Sequence, residues 1–174
     1  FQGMVGGFPE YDRDFLTRCG MLDSINTIGT YDGFKWLGEW QAQGKHAIRI
    51  AGGRHGFEFW NGCMSSYGVN GIIIDEFGVG DYPSHTYHPM AEAVRMLRRD
   101  FPDKLFYPFC RNMAGHADVK PFMAAVVDGD GPMVWEWYGR EEPDFDAARH
   151  KPSGSLKAGM DGWRGFFPDA TPHM

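Results

Sequence analysis

The stretch Gly-Ile-Ile-Ile-Asp-Glu-Phe-Gly, at positions 71–78, decides the fold. Three β-branched residues run into two adjacent carboxylates, and a glycine stands at each end. A short apolar run of this kind predicts a strand that is buried on both faces, as strands of parallel sheets are. Parallel α/β sheets bind ligands at the carboxyl ends of their strands. We therefore expect Asp75 and Glu76 at a functional site.

Strand-like and helix-like segments alternate on both sides of this stretch. About six β-α steps of ordinary length follow one another, which predicts an α/β protein with a parallel sheet. The expected strands are Val5–Phe8, Ser24–Ile28, His46–Ala51, Asn70–Phe77, Leu105–Cys110 and Met133–Tyr138. The expected helices are Tyr11–Cys19, Tyr31–Gln43, Met90–Phe101 and Val119–Val127, while Phe57–Tyr67 fits either a helix or a long loop.

The spacing of these steps favours a (β/α) barrel. A complete barrel needs about 250 residues, and the chain has 174, so we predict a truncated or incomplete barrel. The structural alternative is an open doubly wound sheet. No Gly-x-Gly-x-x-Gly follows a strand, and a dinucleotide site is therefore not expected. Because an incomplete barrel leaves a sheet edge unpaired, the chain could associate with itself.

Three regions are expected along the chain. Residues 1–3, Phe-Gln-Gly before Met4, resemble the remnant of a cleaved tag. Residues 4–149 form the barrel-like domain. Residues 150–174 are rich in Gly, Pro and Ser and are expected to be irregular. A signal peptide could have been removed with the tag, so the cellular compartment stays open.

Composition narrows the classes of function. The net charge is −6, and Lys and Arg are scattered, which does not predict a nucleic-acid interface. No apolar stretch is long enough to cross a membrane. Cys19, Cys63 and Cys110 lack metal or redox spacing and are expected to be buried thiols. Aromatic residues make up 16% of the chain, and many stand beside loop residues, which favours an aromatic-lined cleft.

The candidate catalytic groups are carboxylates at strand ends. Side chains alternate along a strand, so only one of Asp75 and Glu76 can point into a barrel, and three identical isoleucines hide which. Either acid could instead cap a helix or pair with a cation. Glu136 stands between two tryptophans, where burial would raise its pKa and suit a general acid. The alternative for Glu136 is a salt bridge to an arginine.

Other polar and aromatic residues after strands are candidate substrate contacts. Arg49 interrupts an apolar strand and needs a carboxylate partner, for which Asp75 or Glu76 is expected. That pair could be structural, or it could orient a catalytic carboxylate. For each aromatic residue, core packing is an equal alternative. The predicted contacts are Arg49, His55, Trp60, Arg111, Asn112, Trp137 and Tyr138.

A metal site and a bound cofactor are not expected. His85 and His88 have a ligand-like spacing, but prolines at 83 and 89 make that loop irregular. The chain also has no His-Glu-x-x-His pattern. His55 and His116 are expected to contact substrate or to lie on the surface.

Three motifs give the chain a resemblance to the (β/α)8-barrel glycoside hydrolases. They are Gly6–Glu10, Val69–Phe77 and Trp135–Tyr138, and the resemblance covers Val5–Asp144. In many such enzymes the fourth strand ends in the catalytic carboxylate, which implies a role for Asp75 or Glu76. The chitinase-like motif Asp-Gly-x-Asp-x-Asp-x-Glu is similar at Asn70-Gly71 and at Asp75. Ile73 and Phe77 replace its middle acid and its Glu.

A glycoside hydrolase acting on a carbohydrate is the resulting hypothesis. Glu76 or Asp75 would be the nucleophile or base, and Glu136 the acid, since two carboxylates must flank the glycosidic bond. One alternative is a metal-assisted barrel hydrolase or isomerase. Another is a non-catalytic barrel fragment that binds carbohydrate.

Overall fold

The computed structural model describes most of the chain in a series of α/β steps. The described residues are 2–5, 14, 17–18, 20–30, 36–52, 56–66, 68–78, 83–111, 113–128, 131, 133–135 and 142–169. Six strands are described: β1 Gln2–Val5, β2 Thr27–Thr30, β3 His46–Gly52, β4 Gly71–Gly78, β5 Leu105–Arg111 and β6 Val134–Trp135. The helices are α1 Met21–Ser24, α2 Leu37–Ala42, α3 Gly56–Ser65, α4 Tyr87–Asp100, α5 Lys120–Val127 and α6 Phe145–Phe166. Single 3-10 turns, Ser84–Thr86 and Ala117–Val119, precede α4 and α5.

The six strands form one sheet in the order of the chain, from β1 to β6. Four neighbouring pairs have a described register, and all four are parallel. The prediction of an α/β protein with a parallel sheet is therefore confirmed. A doubly wound sheet reverses its strand order at a switch point, and these six strands show no reversal. The sheet is consistent with an incomplete barrel or with an open sheet wound in one direction.

The chain divides into two compact units. Unit 1 comprises Phe1–Asp75 and Met96–Tyr107, and unit 2 comprises Glu76–Arg95 and Pro108–Met174. No helix among the described residues is long and apolar enough to cross a membrane.

The core of unit 1 includes a cluster that packs α2 against the sheet. Ile25, Ile28, Trp36, Trp40 and Ala47 are all buried there. The Trp40 indole nitrogen donates a hydrogen bond of 2.8 Å to the carbonyl of His46 at the start of β3. The indole thus satisfies its single donor while its ring fills the core, as buried tryptophans require. The helix expected at Tyr31–Gln43 is confirmed over Leu37–Ala42.

Asn70 joins three strands at their amino ends in unit 1. Its backbone amide donates to the carbonyl of Ala47 at 2.7 Å, and its own carbonyl accepts from the amide of Leu105 at 2.8 Å. Its side-chain oxygen accepts from the Ala47 amide at 2.9 Å and from the Gln41 side-chain nitrogen at 3.0 Å. One residue therefore ties β3, β5 and α2 to the start of β4.

An aromatic cluster organises unit 2. Phe77 of β4 stacks on Phe122 of α5 with ring centroids 4.4 Å apart, and it meets Tyr87 of α4 edge-on at 6.0 Å. All three side chains are buried. The helix expected at Met90–Phe101 begins three residues earlier, at Tyr87, and ends at Asp100.

The C-terminal region corrects one expectation. Much of residues 150–174, expected to be irregular, belongs to α6, which has 22 residues. The Asp144 side chain caps its first turn by accepting from the amide of Ala147 at 2.8 Å. Farther along, a side chain at Gly159 would lie 1.9 Å from the ring of Trp135 in β6. Gly159, a residue type that disfavours a helix, thus allows α6 to lie close to Trp135 of the sheet.

The amino-terminal strand lies earlier than expected. It was predicted at Val5–Phe8, and β1 spans Gln2–Val5, paired in parallel with Thr27–Thr30. Two residues assigned to a tag remnant, Gln2 and Gly3, thus form part of the sheet. Residues 6–8 lie outside the described part of the chain.

Candidate active site at the carboxyl end of strand β4

The register between β3 and β4 shows which residues of β4 face the helices. Ala47 packs in the cluster with α2, and Arg49 bonds to Ser66 just after α3, so both side chains of β3 point to the helical side. Arg49 pairs with Ile72, and paired residues of parallel strands point to the same face. Ile72 and Ile74 therefore face the helices, because side chains alternate along the strand.

Asp75, paired with Gly52, continues the face of Ile73 and so points away from the helices, but the alternation is not kept two residues on, where Phe77 packs against α4 and α5. Asp75 shares the opposite face of β4 with Ile73, which is buried, whereas Asp75 is exposed at the carboxyl end of the strand. In a barrel this face lines the mouth where active sites lie. The structure thus answers, for Asp75, the question that three identical isoleucines left open. The side chain of Glu76 lies outside the described residues.

The residue paired with Asp75 is a glycine. Gly52, the last residue of β3, stands opposite Asp75 in the register and is exposed. Neighbouring strands are about 4.8 Å apart, so the position beside the carboxylate carries no side chain. Sequence reasoning did not select Gly52, because a glycine at the end of a strand usually indicates only a turn.

Arg49 does not form the expected ion pair with Asp75. Its guanidinium Nη1 donates a hydrogen bond of 2.9 Å to the hydroxyl oxygen of Ser66. Arg49 lies on the helical face, and its paired residue in β4 is three positions before Asp75, about 10 Å along the strand. The structure thus places Arg49 between the sheet and α3, away from the strand ends where substrate contacts were expected.

Trp60 is buried rather than available to a substrate. Its side chain in α3 has no exposed surface and packs on Phe106 of β5, with ring centroids 5.6 Å apart. Its indole nitrogen donates to the carbonyl of Gly52 at 3.2 Å. The alternative of core packing therefore describes Trp60, which holds the carboxyl end of β3 from the helical side.

Strand β5 also presents alternating faces. Phe106 meets Trp60 of α3, so Tyr107 points away from the helices in unit 1 and is half-buried. Burial raises the pKa of the Tyr107 phenol above its ordinary value. The strict alternation of buried and half-buried residues in β5 was visible in the sequence only as an aromatic run. Tyr107 was therefore not among the predicted site residues.

In unit 2 the same face of β5 continues with Phe109 and Arg111. Both are half-buried, and Phe109 is paired with Val134 of β6. Cys110 and Trp135 occupy the opposite face, where Trp135 packs against Gly159 of α6. The predicted contact Arg111 thus lies at the carboxyl end of its strand, on the face that points away from the helices.

Several predicted site residues lie outside the described part of the chain. They are His55, Asn112, Glu136, Trp137 and Tyr138. Their roles stay predictions. Arg49, Trp60, Asp75 and Arg111 are the predicted residues whose side chains the structure places, and of these Asp75 and Arg111 lie at strand ends on the face away from the helices.

The remaining titratable groups that the structure describes bear on the expectations of a metal site and a nucleophile. Within the described ranges, no group of three His, Cys, Asp or Glu side chains could hold a metal ion. His85, His88 and His116 are exposed in unit 2. Burial raises the pKa of the Cys63 thiol, and the Arg49 guanidinium partly opposes this effect. Cys110 is fully buried, which raises its pKa more strongly, so neither thiol is a ready nucleophile.

The chemistry available in the carboxyl half of β4 is that of an exposed carboxylate. A carboxylate in this position can accept a proton, attack an electrophilic carbon or accept hydrogen bonds from hydroxyl groups. No protein-family model matches the chain, and no curated protein matches it either.

Proposed function

We propose that the chain is a glycoside hydrolase-like enzyme built on an incomplete (β/α) barrel, with Asp75 as a catalytic carboxylate. The observation that supports this proposal is the position of Asp75, exposed at the carboxyl end of the fourth strand and facing away from the helices. That is where barrel enzymes carry their catalytic residues. The motif resemblance at Val69–Phe77 supports the same position.

Glycosidic cleavage requires a second carboxyl group. Glu136, which follows β6 in the chain, is the proposed general acid, and Asp75 is the nucleophile or base. A separation of about 5–5.5 Å between the two groups would give retention of configuration, and about 6.5–9.5 Å would give inversion. Aromatic rings suit the apolar faces of sugars, and Tyr107 offers one on the non-helical face of β5.

Hydrolysis of a glycan panel tests this proposal. The wild type is incubated with chromogenic glycosides and with soluble plant and microbial polysaccharides, and released reducing ends are measured. Asp75→Asn should lower kcat by about 10²–10⁴, the range for loss of a general acid or base. Glu136→Gln should lower kcat most for glycosides that have a poor leaving group. Asp103→Asn is the matched control, because Asp103 is an exposed carboxylate in the turn before β5.

The outcome of two variants decides the assignment. Full activity of Asp75→Asn would remove Asp75 from the mechanism. Full activity of Glu136→Gln would remove the proposed acid while leaving Asp75 in place. An equal loss in Asp103→Asn would show that the assay reports stability rather than catalysis, which circular dichroism of each variant checks independently.

A non-catalytic carbohydrate-binding function is the second candidate. It is favoured by the half-buried Tyr107 on the non-helical face, since aromatic rings bind sugars without cleaving them. Calorimetric titration with oligosaccharides separates the two functions. Binding without hydrolysis, weakened by Tyr107→Ala and unaffected by Asp75→Asn, would support binding alone.

A further inference from the structure

Tyr107 of β5 is a neighbour of Ile73 of β4 in unit 1. Strands β4 and β5 are adjacent in the sheet. The amide of Leu105, the first residue of β5, donates a hydrogen bond of 2.8 Å to the carbonyl of Asn70, just before β4. Both strands therefore start at the same edge of the sheet and run in parallel, with Leu105 beside Gly71. Two residues farther along each strand, Tyr107 lies beside Ile73.

Tyr107 and Asp75 share the face that points away from the helices. Phe106 meets Trp60 of α3, so the next residue, Tyr107, faces the other way. Asp75 follows Ile73 by two residues on the same face of β4. From the usual spacing of strands and the rise per residue, the Cα atoms of Tyr107 and Asp75 are about 8 Å apart. A phenol and a carboxylate at these two positions can contact the same small ligand.

The Tyr107 hydroxyl contributes nothing to the packing that a phenylalanine would not. Ile50 of β3 and Ile73 fill the same level of this face with buried, wholly apolar side chains. Tyr107 is half-buried, and burial raises the pKa of its phenol. Among the residues that the structure describes, none forms a hydrogen bond with its hydroxyl. A partly desolvated hydroxyl without a partner costs stability, which points to a ligand as its partner.

We propose that the Tyr107 hydroxyl binds the substrate by donating a hydrogen bond to a hydroxyl group of the pyranose ring whose glycosidic bond lies at Asp75. The inference rests on the proposed function and deepens it by assigning a donor for the sugar next to the carboxylate. A protonated phenol donates, whereas an ionised carboxylate only accepts. Tyr107 and Asp75 together offer one donor and one acceptor to a ligand rich in hydroxyl groups. Tyr107 positions the sugar and takes no part in bond cleavage.

A cycle of one protein change and one substrate change tests this hydrogen bond. Tyr107→Phe deletes the hydroxyl and keeps the ring, and monodeoxy analogues of the best glycoside in the panel delete each ring hydroxyl in turn. Tyr107→Phe should lower kcat/KM by about 3–10-fold, the range of one neutral hydrogen bond. One deoxy position should cost the wild type the same factor. That position should cost Tyr107→Phe less than about twofold more, because the hydrogen bond is already absent.

Tyr87→Phe is the matched control for the cycle. It makes the same change in a buried tyrosine whose hydroxyl donates to the carbonyl of Gly78 at 3.5 Å, and its effect should multiply with that of every deoxy position. In urea at neutral pH, Tyr107→Phe should be at least as stable as the wild type. Effects of Tyr107→Phe that multiply independently with every deoxy position would overturn the proposal. A urea midpoint lowered by more than about 0.5 M would overturn it too, because the hydroxyl would then have its partner within the protein.

The outcomes separate this inference from the proposed function. If glycosides are cleaved and no deoxy position couples to Tyr107, the inference fails and the hydrolase proposal stands. If none is cleaved, calorimetric titration with cellohexaose, xylohexaose and chitohexaose supplies the readout. Binding weakened by about 3–10-fold in Tyr107→Phe and unchanged in Tyr87→Phe keeps the inference while the hydrolase proposal fails. Equal binding by Tyr107→Phe and the wild type, or no binding at millimolar concentration, would overturn both.

Discussion

The replacement Asn70→Ala should destabilise the protein by about 2–4 kcal/mol. It deletes the side-chain oxygen that accepts from the Ala47 amide and from Gln41. Ala47 has no exposed surface, so its amide would be left buried without a partner, at a cost of about 1–3 kcal/mol. Gln41 keeps its hydrogen bond to the carbonyl of Gly68. The loss of its bond to Asn70 therefore adds only about 1 kcal/mol.

Urea unfolding followed by tryptophan fluorescence measures this loss. With a slope near 2 kcal/mol per molar urea, the midpoint of Asn70→Ala should fall by about 1–2 M. Asn70→Asp, which keeps an acceptor oxygen in the same place, should lose less. Gln41→Ala is the matched control, expected to cost about 1 kcal/mol because it leaves the Ala47 amide bonded. A loss below about 0.5 kcal/mol in Asn70→Ala, or an equal loss in Gln41→Ala, would refute the reasoning.

Three further predictions concern single positions. Gly71→Ala should cost at least about 2 kcal/mol in urea unfolding, because its side chain would meet the carbonyl of Leu105, and an unchanged free energy of unfolding would contradict that close approach. Burial raises the pKa of the Tyr107 phenol, so its absorbance at 295 nm should change above the pH at which an exposed tyrosine ionises. Because the phenol ionises at lower pH in the unfolded chain, the wild type should lose stability as pH rises through the raised pKa, while Tyr107→Phe should not. Identical curves of stability against pH for the two proteins would argue against burial of the phenol. Cys63 and Cys110 should resist iodoacetamide in the native protein and react in 6 M urea, and rapid native labelling of either would disprove their burial.

The strands of the sheet were predictable from local composition. His46–Gly52 and Leu105–Arg111 are short apolar runs with polar or glycine residues after them, and burial in a parallel sheet requires that pattern. The orientation of Asp75 was not predictable in the same way. Ile72, Ile73 and Ile74 are identical, and only pairing with a strand of known orientation distinguishes the two faces of β4.

Partners across the fold were the least predictable features. Arg49 was assigned to a carboxylate because an apolar strand disfavours an unpaired cation, yet a half-buried guanidinium was satisfied by the hydroxyl of Ser66. Trp60 was predicted to contact a sugar because of its residue type, but its side chain is buried in the core. The partner of Arg49 and the burial of Trp60 both depend on where α3 packs against the sheet. The local sequence around either residue does not determine that position.

The helix α6 was missed because local propensity opposed it. Pro152 and Gly154, Gly159, Gly162 and Gly165 each lower the expected helicity of this segment. The contact between Gly159 and Trp135 offsets that cost, since only a residue without a side chain lets the helix lie against the indole. Tertiary packing overrode propensity here, and a pattern confined to the segment could not reveal it.

The consecutive order of the strands bears on how the protein assembles during synthesis. Each described strand lies beside the one that precedes it in the chain, so every addition closes only a short loop, and short loops close at low entropic cost. The sheet can therefore grow at one edge as the chain leaves the ribosome, without waiting for a distant segment. Asn70, which is bonded to Ala47 before it and to Leu105 after it, stands at the start of β4, the strand through which the growing edge passes from β3 to β5.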